Sequence, residues 1–220
     1  MSLALAVLPY LDRKLAHASL VSLDTPAITP MPWDNTVDNA GVTRPWAEAA
    51  NEVLDGTAEW LVLWSTAIVF GHLGGRDFAA ALEAPECYPH APAIPRIISA
   101  IDCGWHLTAI HRAVLEEVGT FDACAFFAYY EDSDWIYRHT LAGLGSLWVD
   151  GNVQVPVDIG LNRGDAHSIQ RGLVNSSILR PSQESYLRKW GGLQNRETFT
   201  HPYNDPTFDH KYVGPPPEEP

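Results

Sequence analysis

The chain has 220 residues, 46% of them hydrophobic, enough to bury one full core and too short for two ordinary domains. Its formal net charge of −13 repels phosphate backbones, and the nearest basic candidate, Arg188-Lys189, is short, so the balance argues against nucleic acid as a partner. Cys87, Cys103 and Cys124 are odd in number and irregular in spacing, which suits neither a disulfide framework nor a four-ligand zinc site, and a reducing, cytoplasmic location is expected.

Leu3–Leu8 is apolar, has no basic residues before it and runs into Pro9, so it reads as a buried strand rather than a signal peptide. Ala18–Leu23 and Ile28–Trp33 read as further strands. Trp46, Ala49, Ala50, Val53 and Leu54 then fall at i, i+3, i+4, i+7 and i+8, the apolar face of a helix opened by Pro45 and closed by Gly56. Trp60–Phe70 reads as one buried strand, interrupted by Ser65 and Thr66 and well short of the roughly 20 residues that span a bilayer, so no membrane span is expected. Strands alternating with helices predict an α/β fold with a mostly parallel central sheet flanked by helices.

A Pro-rich stretch, Ala84–Pro95, separates the first half from the second. Asp102–Ile110 reads as a strand and Arg112–Val118 as a helix stopped by Gly119. A helix over Asp132–Leu141 follows, with Gly143 as its stop and Leu147–Val149 as a strand beyond it. Ser182–Trp190 reads as a short helix, and Gly214–Pro220 as a disordered tail behind a single domain over residues 1–213.

The densest chemistry is Gly119-Thr-Phe-Asp122, followed by the aromatic run Phe126–Tyr130 and then Glu131-Asp132-Ser-Asp134. Three carboxylates at a helix start sit where backbone N–H groups and the helix dipole favour the anion. Such a carboxylate can take a proton from a hydroxyl or hold a metal, and the same acids can equally serve to cap the helix. Asp134 and Arg138 stand i, i+4 apart and can pair. In the first half, Asp34-Asn35 and Asn39-Ala-Gly41 form a polar loop in which Asp34 can accept from a base or ribose and Gly41 lets the backbone approach the ligand closely.

In their order, Gly104-Trp105, Gly119-Thr-Phe-Asp122, Glu131-Asp132-Ser-Asp134 and a later His167 resemble the second half of the inverting glycosyltransferases with a GT-A fold. The resemblance runs over about Leu3 to Asp150 and is most specific in the Glu-Asp-x-Asp block. It implies a GT-A-like fold and transfer of a sugar, with inversion, from a nucleotide-sugar donor, uridine-linked, to a hydroxyl of a glycan or protein acceptor. It makes Asp132 the catalytic base and places the donor against Asp34, Asn35, Asn39, Gly41, Ser65 and Thr66. It gives the acceptor to Gly104, Trp105, Tyr130 and Glu131, and names His167 as a metal or diphosphate ligand.

One departure stands out. After Trp60–Leu63 the family carries an Asp-x-Asp that grips the divalent metal, manganese or magnesium, whereas this chain reads Trp64-Ser65-Thr66-Ala67-Ile68. With no carboxylate there, weak or absent metal dependence is expected, and Ser65, Thr66, His167 or Arg163 must help to stabilise the leaving diphosphate. Two rival readings follow: a nucleotide-sugar- or carbohydrate-binding module that kept the fold and lost the chemistry, and a transferase acting on modified DNA bases. The Tyr186–Gly192 stretch is open to two roles, a lid hinged on its glycines or an anchor through Trp190.

Overall fold

Two strands set the layers, because their successive side chains point to opposite faces and both faces are apolar. On β1 (Ala4–Tyr10), Ala4, Ala6 and Leu8 join one core cluster while Leu5 and Val7 join another. On β3 (Trp60–Trp64), Trp60, Val62 and Trp64 go with the first group, and Leu61 and Leu63 with the second. The computed structural model describes residues 2–84, 97–145, 147, 152–161 and 172–217.

Its main sheet has six strands in the order β2-β1-β3-β6-β5-β7, with β2 Ile28–Asp34, β5 Ile97–Ala100, β6 Leu107–His111 and β7 Asn152–Val155. All run parallel except β6, which is antiparallel to both neighbours. The fold is thus α/β with a mostly parallel sheet, as the alternation of elements predicts. Pro30 and Pro32 lack the N–H that a second neighbour would need, and β2 accordingly lies at the sheet edge, pairing only with β1.

Helices α1 (Arg13–Ser22) and α3 (Gly74–Glu83) cover the first face; α2 (Thr43–Asp55), α4 (Arg112–Val118) and α5 (Glu131–Leu141) cover the second. Outside α5 lies α6 (Gly172–Trp190), whose buried residues Ser182, Tyr186, Lys189 and Trp190 repeat at i, i+4, i+7 and i+8. A small sheet pairs β4 (Ile68–Phe70) with β8 (Ile159–Leu161). Among the described residues no helix is long and apolar enough to cross a membrane.

Helices α2, α4 and α5 and the flanking strands β1 and β2 lie within a residue or two of their expected positions, and Gly119 ends α4 as expected, at φ 84°. Four expectations are corrected. Ala18–Leu23 is not a strand: Asp12 accepts from the N–H groups of Lys14 and Leu15 and starts α1, which carries the segment as far as Ser22. Trp60–Phe70 is two strands in different sheets, because the Ile68 N–H donates to the Ser65 carbonyl and closes a turn between them. Asp102–Ile110 begins with a turn and a short 3₁₀ segment, Gly104–His106, so β6 starts only at Leu107. The final helix begins at Gly172 rather than Ser182. Leu147–Val149 and the Pro-rich stretch fall wholly or largely outside the described residues.

The basic pair also changes meaning. Lys189 is fully buried, with Nζ 2.7 Å from Asp122 Oδ2 and 2.9 Å from Asp134 Oδ1. Arg138, also fully buried, pairs with Asp134 at 2.9 Å and donates to the Val118 and Thr120 carbonyls at 2.8 and 2.7 Å. Two acids and two bases cancel, and the arrangement clamps the turn after α4, helix α5 and helix α6 together. Replacing Lys189 by Met leaves two carboxylates buried without that cation, a change that costs roughly 3–5 kcal/mol, whereas Arg13→Ala, which breaks an exposed pair with Asp34 and a hydrogen bond to Thr36, changes stability little. Urea unfolding of the two variants measures the difference.

Candidate active site

In open α/β sheets ligands gather at the carboxyl ends of the parallel strands, and several candidate residues share that edge here. Asp34 and Tyr10 end β2 and β1 in register, and Ser65 follows the end of β3. Because β6 runs the other way, its start lies beside Trp64, and the 104–106 segment joins the edge through a hydrogen bond from the Ser65 N–H to the His106 carbonyl, 2.9 Å.

The loop after β2 is held by its own side chains. Asn35 is buried, donates to the Gly41 carbonyl at 2.8 Å and accepts from the Ala40 N–H at 3.0 Å, while Asn39 accepts from the Gly41 N–H at 3.1 Å. Gly41, at φ 74°, brings its backbone against that of Phe127, where a Cβ would lie 2.1 Å from the carbonyl oxygen. That same oxygen accepts from the N–H groups of Val42 and Thr43 and so caps α2. The close approach that the sequence suggests toward a ligand is here made to the 122–130 loop instead. Asp34 accepts from the Thr36 hydroxyl and N–H and pairs with Arg13, and these bonds hold its carboxyl at about 2, ionised at neutral pH. Ser65 accepts from the Ala67 N–H at 3.2 Å, within the turn that also contains Thr66.

Across the 122–130 loop stands the acid cluster. Tyr129 and Tyr130 both have positive φ, 67° and 66°, a conformation bulky residues rarely adopt, and it delivers the chain abruptly into α5. Tyr130 is fixed by Gln183, whose amide donates to its hydroxyl at 3.0 Å, and by the ring of Tyr186 at 5.1 Å. A cavity of about 210 Å³ opens here, between Tyr129, Tyr130 and the Glu131–Ser133 turn on one side and Leu179 and Gln194 on the other.

The three acids of this one turn sit in three environments. Burial alone would raise the Asp134 carboxyl, but Lys189 and then Arg138 hold it below the ordinary range, so it is an ion-pair member. Asp132, half-buried, is raised by burial and partly held down by Ser133, whose N–H and hydroxyl donate to Oδ1 at 2.7 and 3.3 Å. Glu131 is 7% exposed, and its Oε2 has no hydrogen-bond partner. Burial, and then the neighbouring Asp132, push its carboxyl up to about 8. Of the two, Glu131 is the one that burial drives furthest toward its protonated form.

Trp105 lies behind this turn. Its ring packs on Trp46 at 6.3 Å and edge-on to Trp135 at 5.9 Å, and Trp135 is one turn along α5 from Glu131. Trp105 does not line the cavity, and its indole N–H is buried with no hydrogen-bond partner. Sequence reasoning missed Leu179 and Gln194, which reach the cavity from far along the chain with no local signal. Tyr186–Trp190 closes α6, and Trp190 donates to Asp134 at 2.8 Å, the anchoring role of the two considered. His167 and Arg163 lie outside the described residues, and among the described residues no three His, Cys, Asp or Glu side chains cluster to hold a metal.

No protein-family model matches the sequence, and no curated protein does. Among solved structures, the fold aligns with the catalytic domain of Drosophila β1,4-galactosyltransferase 7 in complex with xylobiose, at TM-score 0.47 and 9% identity over 76% of this chain and 73% of that one. It also aligns with a glycosyltransferase involved in glycosylation of the major capsid of PBCV-1, at TM-score 0.40 and 9% identity over 70% and 82%.

The raised Glu131 carboxyl has a consequence for stability. Between its ordinary value of 4.5 and about 8, the folded chain holds a proton that the unfolded chain has lost, so stability falls as pH rises through that window. Glu131→Gln removes this dependence. Its Tm relative to the parent protein is expected to rise between pH 5 and pH 9 by several degrees, since each kcal/mol is worth roughly 2–4 °C in a chain of this size, as thermal melts at the two pH values will show.

Proposed function

We propose that the chain is an inverting glycosyltransferase that uses Asp132 as its base. The observation that carries this reading is Asp132 itself: a half-buried carboxylate on a 210 Å³ cavity, at a helix start, stabilised by Ser133 while its neighbour keeps a proton. Its setting in a Gly-x-Phe-Asp turn followed by Glu-Asp-x-Asp is the block that resembles the family. The cavity accommodates one sugar ring of the acceptor against Tyr129 and Tyr130, since aromatic faces pack on the apolar faces of sugars.

In this mechanism Asp132 takes the proton of an acceptor hydroxyl as its oxygen attacks the anomeric carbon of the donor. A new C–O bond forms opposite the one that breaks, and the bonding pair leaves with the nucleoside diphosphate. The donor, a uridine diphosphate sugar, lies along the carboxyl edge near Asp34 and the Ser65-Thr66 turn. N–H and hydroxyl donors take the place of the missing Asp-x-Asp there, so metal dependence is weak. A manganese or magnesium ion, where used, would neutralise charge on the leaving diphosphate, with His167 as the proposed ligand.

Asp132→Asn preserves shape and removes the base. It is expected to lower turnover by about a hundredfold to ten-thousandfold while leaving intact the rise in Tm that the nucleotide sugar produces in the parent protein. Initial-rate assays paired with thermal shifts measure both. Near-normal turnover in the variant would rule out Asp132 as the base, and the absence of a shift with every nucleotide sugar at millimolar concentration would rule out the donor.

A further inference from the structure

Resting on that reading of the cavity, we infer that Glu131 acts in it as a carboxylic acid, a hydrogen-bond donor that grips an oxygen of a neutral sugar acceptor and positions its hydroxyl against Asp132. The geometry gives the two acids different work. Asp132 Oδ1 takes both donors that Ser133 offers, at 2.7 and 3.3 Å. Glu131, the more buried of the two, lines the same cavity with Oε2 unsatisfied. A buried oxygen with no partner is costly as an anion and is satisfied at once if it carries a proton and a ligand oxygen accepts it.

Among the described residues that line the cavity with Glu131, none is a cation. From its own helix it faces Asp132; from the 122–130 loop, Tyr129 and Tyr130; from α6 and the segment after it, Leu179 and Gln194, both uncharged. Tyr129 is itself raised, by burial first and then by Glu131, so it stays neutral. Arg138 and Lys189, on the two helices that flank the cavity, are committed to Asp134 and Asp122. The carboxyl value near 8 agrees with this geometry. The proton on Glu131 is not consumed: it stays on the acid while Asp132 takes the acceptor's proton. Glu131 is thus a positioning and specificity residue, suited to a ligand that presents lone pairs.

Two measurements test this, neither needing a known donor. Difference infrared spectroscopy of the full chain against Glu131→Gln is expected to show, at pH 7, the carbonyl band of a protonated carboxylic acid that is missing in the variant and titrates away in the parent near pH 8. A panel of neutral mono- and disaccharides is then followed by ligand-observed NMR. Glu131→Ala is expected to weaken binding of the sugars that bind by tenfold or more, and Glu131→Gln, whose amide still donates, to recover most of that loss. No protonated-acid band at pH 7, or Glu131→Gln as weak as Glu131→Ala, would overturn the proposal while leaving Asp132 as base. A band present with no sugar bound by the parent protein would overturn the positioning role together with the functional reading it rests on.

Discussion

Everything at the candidate site depends on the buried set of charges formed by Asp122, Asp134, Arg138 and Lys189. Ion pairs removed from water gain little net stability, but they punish the loss of any single partner, and so they specify one arrangement strongly. Here they join the turn after α4, the first turns of α5 and the end of α6. Trp190 adds a third bond to the Asp134 carboxylate, and Asp122 accepts from the N–H groups of Cys124 and Ala125 to shape the loop that follows. With α5 fixed in this way, Glu131 and Asp132 emerge at its start, both lining the cavity. One helical turn thus holds an ion-paired acid, a buried acid without a partner and a half-buried acid held by Ser133, distinguished only by what surrounds each.

The same clamp couples the two halves of the chain. The 122–130 loop that it shapes presents the Phe127 carbonyl to the first N–H groups of α2, and Gly41 is the residue that lets the backbones meet. The loop after β2 is therefore braced by the loop that leads into the acid pair.

Much of this architecture is legible in the sequence where signals are local. The period of Trp46 to Leu54, the stop at Gly119 and the i, i+4 spacing of Asp134 and Arg138 all act within a few residues, and all appear in the fold. The apolar run Ala18–Leu23 misleads because the residue that decides its state, Asp12, lies upstream of it. The burial of Lys189 is invisible because its partner Asp122 stands 67 residues away. Gly41 is legible as a glycine that permits close approach, but toward a ligand rather than toward Phe127, where the fold uses it. Glu131 was legible as an acid at a helix start; that its Oε2 is buried without a hydrogen-bond partner follows only from what packs around it.

The central claim, that Asp132 deprotonates an acceptor for in-line displacement, is tested most directly by the stereochemistry of transfer. Proton NMR of the product, formed from whichever α-linked uridine diphosphate sugar raises the Tm most, reads the anomeric configuration within the first turnovers. The account predicts a β-linked product, with configuration inverted at the transferred carbon. An α-linked product would mean a mechanism with retention and would contradict it.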